Sequence, residues 1–163
     1  MAIHMFDRSR TPGRFRSAPS YSPGATVADA QAEARWQGDR KVGTEHILLA
    51  LLHDPASEAA LGVDLETARA AAAALDRAAL RAVGLGDLPD APPISRPERG
   101  WLPLAPSVKA VLVEALEGSG HARRGPQHVL LALLCLERPD PAALLLDELG
   151  VDRAAVRGRL AVV

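Results

Sequence analysis

The ten residues Gly43–Leu52, GTEHILLALL, return at Gly125–Leu134 as GPQHVLLALL, with seven of the ten positions identical. In the first copy Ile47, Leu48, Leu51 and Leu52 fall on one helical face, and Leu49 and Ala50 widen that stripe almost all round. A helix apolar on nearly every side belongs in the middle of a protein. Thr44 precedes the apolar run as an N-cap, where its hydroxyl can accept an orphan backbone N–H. The differences between the copies fall on the polar end, where Thr44-Glu45 becomes Pro126-Gln127.

The flanks extend the repeat. ATVADAQAEARWQ (Ala25–Gln37) is Ala-rich, free of Gly and Pro, and stopped by Gly38, which reads as a helix with a glycine C-terminus. Asp54-Pro55 has cap-then-proline chemistry and opens a short helix closed by Gly62. Asp64 caps a long Ala- and Leu-rich helix running up to Gly84. The pattern restarts with SVKAVLVEALE, Gly125-Pro126 and its apolar helix, ERPDPAALLLDELG, and VDRAAVRGRLAVV. Gly62-Val63-Asp64 reappears as Gly150-Val151-Asp152. No stretch alternates with a period of two, so no sheet is expected. The predicted fold is all-α: two tandem four-helix repeats, each too small to bury its own apolar helix, packed about a pseudo-twofold axis. The boundaries are a basic arm at 1–20, repeat one at 21–83, a Pro/Gly-rich linker with five prolines at 84–103, and repeat two at 104–163.

Composition narrows the function classes. The 163 residues carry a net charge of -1 and only 3% aromatics, which argues against a nucleic-acid surface and against attraction to an anionic membrane. Cys135 is the sole cysteine, so no internal disulfide can form and no thiolate cluster is expected; a cytoplasmic location fits. Its setting in ALLCLE reads as a small buried hydrophobe. No apolar run approaches the ~20 residues that span a bilayer. His46 and His128 occupy equivalent positions before apolar helix, and no ligand spacing completes a zinc set, so both read as structural and neither metal nor cofactor is expected. Ser57 and His53 are neighbours in sequence, but no G-x-S-x-G elbow or strand supports hydrolase chemistry, so no catalytic residue is assigned.

The segment EARWQGDRKVGTEHILLALLHDPASEAALGVDLETAR (Glu33–Arg69) resembles the N-terminal repeat domain of Clp ATPases, especially the ClpC type. GPQHVLLALL, with Gly120-His121 before it, extends the likeness to a second repeat, and the resemblance covers roughly Tyr21 to Val163. The chain contains no G-x-x-x-x-G-K-[ST] loop, so it resembles a Clp N-domain on its own, without the AAA+ module. The resemblance implies the family's double four-helix fold and a non-catalytic role. The implied partners are Clp substrates, adaptor proteins, phosphoarginine-tagged chains or a Clp ATPase itself, with modulation of Clp proteolysis as the outcome. It also implies an alternative, capture of cyclic-peptide natural products that target such domains.

The same resemblance points to site residues. Glu45 matches the family glutamate that contacts the phosphoarginine guanidinium, for which a carboxylate is the natural partner. Gln127 stands in its place in repeat two. A hydrogen bond to a charged group is worth ~1.5–3 kcal/mol against ~1 for a neutral one, so the second site is expected to be about tenfold weaker. Ser22, in Tyr21-Ser22-Pro23, resembles the family's hydroxyl-bearing turn, and Thr44 adds a second hydroxyl. Leu104-Ala105-Pro106 and Pro126 lack both. A plainer reading of Ser22, Thr44 and Glu45 is that they are turn and cap residues. Trp101 and Leu102 end the linker where the family has a partner surface, and either packing or partner anchoring suits them.

Overall fold

A computed structural model describes residues 23–86, 100–118 and 125–161. Eight helices run through them: α1 (Pro23–Gln37), α2 (Thr44–Leu51), α3 (Pro55–Leu61), α4 (Leu65–Ala82), α5 (Pro106–Gly118), α6 (Pro126–Leu133), α7 (Pro141–Glu148) and α8 (Arg153–Leu160). Asp54, Asp64, Asp140 and Asp152 each accept backbone N–H groups at the start of α3, α4, α7 and α8, so four helix starts use one chemistry. Gly38 and Gly62 take φ of +83° and +71° after α1 and α3, the left-handed geometry that glycine supplies without a Cβ penalty. Among the described residues the only extended pairing is a single parallel bridge, Val42 to Leu104.

The helices pair as a duplicated unit would. α1 packs on α2 as α5 packs on α6, and α2 meets α6 across the centre. The third helix of each repeat crosses over: α7 packs on α2 and α4, while α3 packs on α6 and α8. Each repeat therefore lends its third helix to the other's core. Ile47, Leu48, Leu49 and Leu51 of α2 and Leu130 and Leu133 of α6 are fully buried between these layers. At about 1.5–3 kcal/mol per buried leucine-sized side chain, the central pair supplies much of the driving force.

Polar ties reinforce the exchange. The Thr44 hydroxyl donates to Asp140 Oδ1 at 2.6 Å and accepts from Ala142 N at 3.3 Å, so it completes the cap of α7. This corrects the expected cap: Gly43 stands at the N-cap of α2, and Thr44 is that helix's first residue, fully buried against the other repeat. The Gln31 carboxamide grips Leu102, accepting from its N–H at 2.7 Å and donating to its carbonyl at 2.8 Å, which pins the end of the expected linker to α1. Val42 and Ala105 bond as well, N–H to carbonyl at 2.9 Å.

Glu33, 2% exposed, receives Arg69 at 2.5 and 2.9 Å and His53 at 2.8 Å, joining α1, α4 and the turn after α2. Burial pushes this carboxyl's pKa up, but the hydrogen bonds and charges of Arg69 and His53 together outweigh it and hold it below the ordinary glutamate value. Cys135 departs from expectation: it is exposed, because α6 ends at Leu133 and the chain turns outward, leaving the thiol 3.7 Å from Arg157.

Candidate functional site

The start of α2 explains the repeated glycine and histidine. His46, at the third helical position, accepts the Gly43 N–H on Nδ1 at 2.9 Å and closes the first turn as a glutamate does in a capping box. With Nδ1 occupied by that donor, Nε2 carries the ring hydrogen and donates toward Gln37 Oε1 (3.2 Å) and Asp39 (3.1 Å). His128 does the same for Gly125 at 3.3 Å. Both histidines hold the fold. Asp39, Glu45 and His46 lie close enough together to resemble a metal set. Both ring nitrogens of His46 are spent in hydrogen bonds and the ring is buried, so the trio carries no metal assignment.

Between glycine and histidine, Glu45 folds back over the helix start. A Cβ on Gly43 would lie 2.3 Å from both of its carboxylate oxygens, so this pose depends on the missing side chain. Gln127 folds the same way over Gly125, with Oε1 2.2 Å from the corresponding point. The Glu45 side chain is only 22% exposed, and its Oε2 is buried with no hydrogen-bond partner among the described residues. Burial raises its pKa, against the opposing pull of His46 and its own backbone N–H, and nearby Asp39 and Asp140 raise it further.

This carboxylate forms one wall of a cavity of about 310 Å³. Ala72, Leu75 and Ala79 of α4 and Leu144 and Leu145 of α7 give it apolar sides, while Asp39, Glu45 and Asp76 give it a negative rim. Asp76 is also raised above the ordinary aspartate value, by partial burial and then by Asp39. Gln37 Nε2 is a second buried polar atom without a partner at the same cavity. The lining contains no lysine or arginine. A planar cation entering here would meet a partly desolvated carboxylate, with the Gln37 amide as a neutral donor on the same wall.

The counterpart in repeat two, about 320 Å³, lies where α3 faces α6 and α8. Gln127 replaces the glutamate, Arg159 adds a positive charge, and Asp54 is already bonded to the Ser57 N–H and hydroxyl. That hydroxyl bond also takes Ser57 away from His53, which instead meets Glu33. The duplicated fold thus carries two cavities of similar size with different charge.

Of the residues singled out from sequence, Glu45 lines the first cavity and Gln127 the second. Thr44 is sealed between α2 and α7, and its hydroxyl is spent there. Trp101 is 70% exposed, whereas Leu102 is buried in the core and offers no surface. Ser22 lies outside the described residues. Sequence reasoning missed Gln37, Asp39 and Asp76. The first two sit at the end of α1, and Asp76 arrives from α4 one turn beyond Ala72, a juxtaposition set by helix packing that local spacing does not encode.

Residues 22–117, more than half of the chain, match the family described as Clp repeat (R) N-terminal domain. A curated relative, "Chaperone protein ClpC2, chloroplastic" of Oryza sativa subsp. japonica, is 35% identical over 140 residues, covering 78% of this chain. The chain spans 13% of that relative's length. The crystal structure of the N-terminal domain of the caseinolytic protease associated chaperone ClpD from Arabidopsis thaliana has the same fold. It superposes with a TM-score of 0.63 at 22% identity, covering 85% of this chain and 91% of that one. Two interlocked four-helix repeats, each with a Gly-x-x-His cap on its second helix, and the match over residues 22–117 lead to one conclusion: this chain belongs to the Clp repeat N-terminal domain family.

Proposed function

We propose that this protein is a non-catalytic receptor for protein segments, and that it holds them by seating a guanidinium in the Glu45 cavity. The observation that carries this reading is Glu45, with one carboxylate oxygen buried and partnerless, on the wall of a cavity rimmed by Asp39 and Asp76 and lined by no lysine or arginine. In native structures the large majority of buried side-chain polar atoms have a hydrogen-bond partner, which an incoming guanidinium would supply here. Family membership supports segments from substrates and adaptors of Clp ATPases, with modulation of Clp proteolysis by competition or delivery as the proposed outcome. Phosphoarginine matches the guanidinium half of the cavity, while its phosphoryl group would find only the Gln37 amide as a donor there.

The test is calorimetric titration with two otherwise identical peptides, one bearing arginine and one phosphoarginine, on wild type and Glu45→Gln. Binding weakened about tenfold by the substitution is expected, from the difference between charged and neutral hydrogen bonds. Equal binding by both proteins, or none by either, refutes the reading. The ratio of the two peptides decides whether the phosphoryl group is tolerated.

A second reading, capture of a cyclic peptide, draws on a different place. An apolar cavity of about 240 Å³ lies between Val27 of α1, Leu112, Ala115 and Leu116 of α5, and Val129 of α6. Saturable cyclic-peptide binding unchanged by Glu45→Gln and weakened by Leu116→Ser would favour it; its absence at micromolar concentration would dismiss it.

A further inference from the structure

A second groove continues from the Glu45 cavity. It measures about 230 Å³, shares Gln37 and Asp76 with that cavity, and adds Trp36, Arg69, Arg77 and Leu80. Trp36 is 59% exposed and Leu80 45%. Neither side chain is needed to close the core, so the plain reading as packing residues does not account for them. The indole is not loose: the Arg69 guanidinium lies 5.3 Å from its ring centroid, and that guanidinium is itself fixed by two hydrogen bonds to buried Glu33. An exposed aromatic held by a salt-bridged arginine is preorganised, so covering it costs little side-chain entropy. Charge divides along the same line. Asp39 and Glu45 are at one end, Arg69 and Arg77 at the other, and Asp76 lies on the shared wall.

We propose that the two cavities form one track for an extended segment of a partner protein, in which an arginine occupies the Glu45 end and an apolar side chain two residues away covers Trp36 and Leu80. This deepens the receptor reading and rests on it. The spacing follows from strand geometry: an extended chain advances ~3.3 Å per residue and returns to the same face every second residue, which suits adjoining cavities that share walls. The division of charge sets the third requirement. An acidic residue beyond the apolar one meets Arg77, while a basic one there is repelled. The occupant is therefore a segment with arginine, apolar and acidic side chains at alternate positions, in either chain direction.

The experiment uses the full chain carrying Trp101→Phe, which leaves Trp36 as the sole indole. Trp36 emission is followed during titration with Arg-Ser-Leu-Ser-Asp and its reversed sequence, each acetylated and amidated, and with versions in which leucine is serine. At least one order should change Trp36 emission, and its Leu→Ser version should bind about tenfold more weakly, the loss expected when one leucine side chain is no longer buried. Leu80→Gln, an exposed helix position tolerant of glutamine, should reproduce that loss, and Glu45→Gln should weaken every arginine peptide. If binding depends on Glu45 but is indifferent to the leucine and to Leu80→Gln in both orders, the track is refuted while the arginine pocket stands. If no arginine peptide binding depends on Glu45, both fall.

Discussion

Glu45→Gln should make this protein more stable at neutral pH, and the reasoning can be followed from one oxygen atom. The carboxylate is less than a quarter exposed and has one oxygen buried without a donor among the described residues, so ionising it is costly. Leaving a buried polar atom unsatisfied costs about 1–3 kcal/mol and more when it is charged, and it is this excess for the carboxylate over an amide that glutamine removes. The start of α2 returns part of this, about 0.3–1 kcal/mol, by favouring negative charge at its first turn. The net penalty is about 1 kcal/mol, which for a chain of this length corresponds to roughly 2–4 °C in Tm. A glutamine should fit without rearrangement, because Gln127 adopts the same pose over Gly125.

The sign with pH is fixed by the direction of the shift. Burial raises the Glu45 pKa in the folded state above the unfolded value of 4.5, so the folded state binds the proton more readily. Stability is therefore lost as pH rises from the unfolded value through the raised folded one. Scanning calorimetry of both proteins at pH 7 and pH 4 should show the variant ahead at pH 7 and the gap mostly closed at pH 4. A variant no more stable at pH 7, or equally ahead at both values, would refute the assignment of Glu45 as a strained, unsatisfied carboxylate.

Three further outcomes follow from the same geometry. Thr44→Val removes the hydroxyl that serves Asp140 and Ala142, and should cost about 1–2 kcal/mol by calorimetry with arginine-peptide affinity unchanged; unchanged stability with lost affinity would return Thr44 to the ligand. Arg69→Ala leaves Glu33 buried with His53 alone and should cost about 3 kcal/mol at pH 7, or roughly 6–12 °C. Because the folded pKa of Glu33 is depressed, that stabilisation is present above pH 4.5 and fades as pH falls through the lowered value, so the two melting curves should converge in acid. Gly43→Ala drives a methyl group into the Glu45 carboxylate, whose flexible end can swing away; affinity should fall at least as far as in Glu45→Gln, while stability shifts by under about 1 kcal/mol.

Much of the fold was legible because each helix carries its own punctuation. Asp-Pro and Gly-Val-Asp mark ends and starts locally, and the all-round apolar runs at Ile47–Leu52 and Val129–Leu134 announce central helices. What sequence misplaced are groups whose partners are far away. Thr44 has the chemistry of an N-cap and serves as one, but for a helix almost a hundred residues distant. Leu102 looked like the exposed end of a linker because nothing in Gly-Trp-Leu-Pro reveals that Gln31 grips it. Asp39 and Asp76 carry no local signal, and only the packing of α1 and α4 brings them to the Glu45 cavity.

The two halves also show where a duplicated fold can change. Gly43 and Gly125 must lack a Cβ for the residue two places on to fold back, and His46 and His128 must accept the glycine N–H, so both positions are bound to the helix start. The residue just before the histidine is not bound in this way, and it differs, Glu45 in one half and Gln127 in the other. Its surroundings differ with it. α4 runs for 18 residues and carries Asp76 and Leu80 past the first cavity, whereas α8, with eight, brings Arg159 to the second. Charge and reach have thus diverged on a framework whose packing has not, and the half that keeps an unsatisfied carboxylate is also the half with an exposed, braced tryptophan beside it. Proteins shed costly buried charges readily when nothing depends on them. An unsatisfied carboxylate beside a preformed groove is the arrangement the proposed receptor requires, since the ligand supplies the missing donor.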